Sequence, residues 1–212
     1  MLDIKKTYKT NNYGDLKIVT YHNNASVDVE FISTGYRATV RFSSINRGAV
    51  KDKLYPRVYG VGFLGTGKHK AAVDGKRTKA YATWTDMLER CYSDKAQARR
   101  PTYKGCSVAK EWHNFQNFSA WFNDNYSDGL HLDKDILIKG NRVYSPEACM
   151  FVTRAQNNIE ASAKHYKFMS PKGELVEIYN LLDFCKKNEL NNGGMSAVHS
   201  GKLLHHKQWM KA

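Results

Sequence analysis

The stretch LHLDKDILIKGNRVYSPEACMFVTRAQNNI, residues 130–159, decides how the chain is read. It scans as a strand over 131–138, a turn at Lys139-Gly140-Asn141 and a second short strand over 142–144. Ser145-Pro146-Glu147 caps a polar helical segment that closes on Asn157-Asn158. Alternate residues of a strand share a face, so His131, Asp133 and Asp135 line one side and Lys134 points to the other. A hairpin against a helix, with acids on the first strand and an amide on the helix, is a layout that holds one divalent cation beside a phosphate.

These residues resemble the ββα-metal core of the HNH endonucleases, in particular the small phage and intron-encoded homing type. The resemblance is carried by Tyr144-Ser145-Pro146-Glu147, by Phe151-Val152-Thr153-Arg154 and by Gln156-Asn157-Asn158. By position it implies Asp133 and Asn157 as metal ligands and Asn141 as the loop asparagine. It also implies Mg²⁺ or a similar divalent ion as cofactor. The sequence departs from the family where the water-activating His is expected, because Lys134 stands there.

An unperturbed Lys titrates near ~10.4, far from the neutral range in which a general base works best. A neighbouring dication would disfavour the ammonium and lower that value. The base is therefore Lys134 after a large shift, or His131 after a small shift of register. The opposing reading is a retained nuclease fold that binds DNA without cutting it.

Charge supports a nucleic-acid partner. Lys and Arg number 33 against 20 Asp and Glu in 212 residues, a formal net charge of +13, with 12% aromatic residues. A folded, basic, aromatic-rich chain gains affinity for phosphates through counterion release. No apolar run approaches the ~18 residues of a membrane span. The opening Met-Leu-Asp-Ile-Lys-Lys lacks the apolar core of a signal peptide, so a cytoplasmic location is expected. Cys91, Cys106, Cys149 and Cys185 form no C-x-x-C pair, so reduced buried thiols and no zinc are expected.

Upstream, period-two runs at Leu16, Ile18 and Thr20, at Val27, Val29 and Phe31, and at Tyr36, Ala38, Val40 and Phe42 predict a small antiparallel sheet. Lys17, Arg37, Arg41 and Arg47 lie between them and suggest a cationic face. Residues 48–79 mix glycines with Lys68, Lys70, Lys76 and Arg77, which reads as basic backbone tracking a sugar-phosphate strand, or as a linker. Tyr59-Gly60-Val61-Gly62-Phe63-Leu64-Gly65 is rejected as a nucleotide site, since it lacks a G-K-[ST] after it. Helical spacing of Trp84, Met87, Leu88, Cys91 and Tyr92, then of Trp112, Phe115, Phe118, Trp121 and Phe122, predicts two core helices.

After a polar joint comes a hairpin turning at Pro171 to Gly173, a helix opened by Asn180, a break at Asn192-Gly193-Gly194 and a second helix. The pieces Ser170-Pro171-Lys172-Gly173, Asn180-Leu181, Gly201-Lys202 and Lys207-Gln208-Trp209 resemble the C-terminal DNA-reading motif of phage homing endonucleases. That resemblance implies a helix-turn-helix with Ser196, His199, Ser200, Lys202 and Lys207 toward DNA, joined by Arg154 of the central segment.

The reading is thus an α+β chain in three parts. These are a β-rich domain with a basic connector (1–79), an HNH-like ββα domain with packing helices (80–163) and a C-terminal helix-turn-helix module (164–212). Its partner is double-stranded DNA, which it cuts or nicks. Alternatively it is an inactive relative acting as a DNA-binding regulator, or as a phage-encoded inhibitor of a host protein.

Overall fold

The structure, a computed structural model, describes residues 6–162 and 164–212, with the side chains of 160–162 left aside. The chain is mixed α+β and divides into two compact units, residues 1–128 with 132–151 and residues 129–131 with 152–212.

The first unit opens with strands β1 (Thr7–Lys9), β2 (Asp15–Asn23), β3 (Ser26–Phe31) and β4 (Arg37–Val40), paired in sequence order as one antiparallel sheet. The expected alternation sets its register: Leu16 faces Phe31 and Ile18 faces Val29 across β2 and β3. One face buries Leu16, Ile18, Val27, Val29 and Phe31 with Ile45 and Val50. Fully burying each such side chain contributes about 1.5–3 kcal/mol. The last run stops short of Phe42, which starts helix α1 (Phe42–Asn46).

Residues 49–71 then run to a two-stranded ribbon, β5 (Ala72–Val73) with β6 (Lys76–Arg77). The glycines before it are packed and do not form a free connector. A Cβ on Gly62 would sit 2.5 Å from Leu88 and 2.9 Å from Trp84, so only a bare backbone lets this segment lie against the next helix.

That helix, α2 (Lys79–Tyr92), buries Trp84, Met87, Leu88 and Cys91 as the spacing predicts, with Thr78 as its cap. Next come helix α3 (Asp94–Arg99), strand β7 (Ser107–Val108) and helix α4 (Phe115–Asn125). Trp112 precedes α4 in a 3₁₀ turn, and its carbonyl accepts the buried Trp84 indole N–H at 2.7 Å.

The deciding stretch folds differently from its expected hairpin. Strand β8 spans only His131–Asp133, and β9 (Val143–Tyr144) pairs in parallel with β7. The partner of β8 is β10 (Met150–Val152). The reason is chemical: Asp133 takes the amides of Asp135 and Ile136 onto its Oδ1 at 2.7 and 2.9 Å, which turns the chain out of the strand. Phe151 of β10 stacks on Trp121 and meets Phe122 and Tyr126 edge-on, a burial that fixes the strand against α4.

The second unit holds α5 (Arg154–Ser162), then β11 (Tyr166–Met169), β12 (Leu175–Ile178), α6 (Leu181–Lys187), α7 (Asn192–His199), β13 (His205–His206) and β14 (Trp209–Lys211). The four strands form one sheet in the order β12-β11-β14-β13. Phe168, Ile178, Leu181, Cys185, Met195 and Val198 make its core, and Trp209 packs edge-on against Phe184. The two helices stand where the sequence sets them, but Asn192-Gly193-Gly194 is the first turn of α7 and not the break between them. Asn191 caps it, accepting the Gly194 amide at 2.8 Å.

Candidate functional site

The loop from Asp133 to Tyr144 gathers three of the residues singled out from the sequence: Asp133, Lys134 and Asn141. Asn141 is its staple. Its amide donates to the carbonyls of Lys134 and Val143 at 2.9 and 2.7 Å, while its Oδ1 accepts the Val143 N–H at 3.0 Å. Lys134 is 8% exposed. Its ammonium donates to both carboxylate oxygens of Asp135 at 2.6 and 2.7 Å and to the Asn141 carbonyl at 2.9 Å, and lies 6.0 Å from the centre of the Tyr144 ring. An ammonium has three donors, and three acceptors take them.

The surroundings of this loop are apolar. Burial pushes the Cys149 and Cys91 thiols up to about 12, and burial likewise raises the Tyr144 phenol. These thiols are inert neighbours at neutral pH. Among the described residues no three His, Cys, Asp or Glu side chains gather as a metal site. Asp133 lies in the first unit, whereas His131 and Asn157 lie in the second. In the first unit the Lys134 ammonium occupies the Asp135 carboxylate, and Oδ1 of the expected ligand Asp133 is taken by two backbone amides.

The cations predicted to face DNA fall into contrasting settings. On the sheet, Arg37 and Lys17 both pair with Glu30, at 2.6 and 3.0 Å. Their hydrogen bonds, Lys17 first, hold the Glu30 carboxyl below its ordinary range. The expected cationic face is therefore partly neutralised, with Arg41 left exposed.

On the β5–β6 ribbon the reverse holds. Ala72 pairs with Arg77 and Val73 with Lys76, closed by Asp74 and Gly75 with φ of +48° and +74°, both in the left-handed region that a tight two-residue hairpin turn requires. All four strand residues are exposed, and Val73 is half in solvent. Lys68, Lys70, Lys76 and Arg77 have no ion-pair partner among the described residues. Such a hairpin has no hydrophobic face to hold it and relies on its base. There Thr78 donates its hydroxyl to the Lys70 carbonyl and its amide to Ala71, and Gln116 brackets His69 by accepting its N–H and donating to its carbonyl. Sequence reasoning found the cations but not this anchor. Gln116 carries no local signal, since its partners are 47 residues away.

In the second unit, Ser196 and Lys202 are exposed, as is Arg154 at the start of α5. His199 turns inward, its ring 4.8 Å from Tyr166, and Ser200 bonds its own helix at the Ala197 carbonyl. Lys207 donates to the Glu189 carbonyl at 2.8 Å.

No protein-family model matches the chain, and no curated protein does. Among solved structures it is similar to the HNH homing endonuclease I-HmuI, in a structure describing DNA binding and cleavage by that enzyme. The identity is 22% and the TM-score 0.23, over 41% of this chain and 59% of the other. The chain thus spans about three fifths of that protein's length. Among the described residues no helix is long and apolar enough to cross a membrane.

Proposed function

We propose that the protein binds double-stranded DNA through unpaired cationic surface led by the β5–β6 ribbon. The observation that carries this reading is the ribbon itself: an exposed two-stranded hairpin bearing Lys76 and Arg77, with Lys68 and Lys70 on the segment leading into it, none of the four in an ion pair among the described residues. A two-stranded ribbon fits the major groove of B-form DNA, and lysines and arginines at its edges reach the phosphates. Lys134 stands where the general base would be, yet all its donors are committed within the loop. Binding without hydrolysis is therefore favoured over metal-assisted cleavage through Asp133, Asn157 and a divalent ion.

Fluorescence anisotropy with a short duplex tests the reading. Affinity should fall steeply with salt, and Lys70→Glu with Lys76→Glu should lower it roughly tenfold or more and flatten the salt slope by about 2. Unchanged affinity in that double variant overturns the ribbon as the contact. Salt-independent binding to a protein instead of DNA overturns the nucleic-acid reading. Nicking of supercoiled plasmid in Mg²⁺ or Mn²⁺, lost in Asp133→Ala, would restore the cleavage reading.

A further inference from the structure

Beside the ribbon lies a groove of about 530 Å³ whose lining includes Arg77. Five rings stand among its walls: Tyr13, Tyr55, Tyr59, Phe63 and Tyr81. Tyr13 and Tyr55 meet edge to face at 6.0 Å, and Tyr81 is braced edge-on by Phe115 at 5.3 Å, so these rings are set before anything binds. All of them belong to the first unit.

Tyr59 is placed there against its backbone preference. Its φ is +51°, a conformation that suits Gly or Asn and that a bulky side chain rarely adopts. The turn it occupies is closed by the mutual hydrogen bonds of Val58 and Gly62. An aromatic ring kept partly exposed, on a strained turn and at the rim of a groove, is a reason to look for a ligand.

The charges in the lining select among ligands. Arg57 is already committed to Tyr13, donating to its hydroxyl at 2.9 Å with the guanidinium 5.3 Å from the ring centre. Asp52 is committed to the Thr34 hydroxyl and the Leu54 amide. Asp86 and Glu89 remain on the α2 wall, with Glu89 reached by Arg99 only at 3.8 Å. Both carboxylates line the same groove as Tyr59, whose phenol is pushed upward by burial first and then by Glu89 and Asp86, with Arg77 opposing. Carboxylates repel phosphate but accept N–H donors. A flat, neutral group with an amino edge fits these walls, and its phosphate belongs outside, on the cationic ribbon.

We propose that this groove takes an unstacked nucleobase bearing an exocyclic amino group, stacked against Tyr59 with its edge toward Asp86 and Glu89, from a strand whose phosphates the ribbon holds. The inference rests on the DNA-binding reading and adds a site that recognises unpaired bases. Every base offers a ring face to aromatic side chains, and a carboxylate accepts the amino group of cytosine where thymine offers none.

The test compares three probes by anisotropy: a perfect duplex, an oligo(dC) and an oligo(dT) of about a dozen nucleotides. Tyr59→Asn removes the ring yet suits the positive φ, so the fold should be kept; a thermal melt verifies this. Expected is about a tenfold loss for oligo(dC) in Tyr59→Asn with duplex affinity unchanged. Also expected is tighter binding of oligo(dC) than of oligo(dT), levelled by Asp86→Asn with Glu89→Gln. Oligo(dC) bound equally by wild type and a folded Tyr59→Asn overturns the inference while leaving duplex binding intact. A wild-type protein that binds none of the probes overturns the DNA reading and this inference with it.

Discussion

The 133–144 loop and the 68–79 ribbon are both rich in polar and basic residues, yet they use them in opposite ways. In the loop, Lys134, Asp133 and Asn141 direct their hydrogen bonds inward and build the turn they occupy. In the ribbon, Lys68, Lys70, Lys76 and Arg77 leave their charges to solvent, and only the base is fastened. A lysine buried on a carboxylate is architecture, because releasing it would strand a charge; a lysine on an unpacked hairpin contributes little to folding and is available to a polyanion.

Lys134→Ala is the harshest trial of that contrast. Removing one partner of a buried pair costs about 3–5 kcal/mol, and the 44% exposure of the Asp135 carboxylate reduces this to roughly 2–3 kcal/mol. A denaturant melt should register that loss, while duplex affinity of the folded variant stays as in the wild type. If affinity collapses while stability holds, the loop is a contact surface and the contrast fails.

Gly75→Ala probes the other side. At φ +74° an added Cβ costs about 1–2 kcal/mol, with no neighbour within 4 Å to clash. Because all four strand residues of the ribbon are exposed, the global melt should barely move, whereas duplex affinity should drop severalfold. A large fall in melting temperature would mean that the ribbon supports the core.

The smallest expected effect is on the sheet, where cations are neutralised. Lys17 and Arg37 lower the Glu30 carboxyl, so their contribution is present above the ordinary carboxylate range and is lost as pH falls through the lowered folded value. Wild type should therefore lose slightly more stability than Glu30→Gln between about pH 5 and about pH 3. Equal losses would show that this exposed network contributes nothing.

Much of the fold was legible. The buried face of β3 matches the expected spacing, as do those of β2 and α2 apart from Thr20, which is exposed, and Tyr92, which is half-buried, since periodicity is a property of near neighbours along the chain. Of the caps, Asn180 stands where the sequence sets it, whereas Thr78, Asn114 and Asn191 were not read from the sequence. Strand partners were not legible: β9 pairs with β7, across more than thirty residues, and β8 with β10, once an aspartate had ended β8 early. The candidate site was legible as residue types only. Lys134 and Lys76 look alike in sequence, and the difference lies in what each meets.

By itself the sequence determined the α+β character, the apolar faces and the excess of positive charge, because each derives from composition or from residues a few positions apart. The tertiary structure alone decided which cations remain unpaired, which glycines let backbone lie on Trp84 and Leu88, and that five rings converge beside the ribbon. Those outcomes depend on through-space distances between residues far apart in the chain, and a charge or a ring acquires its role only from the groups that fold against it.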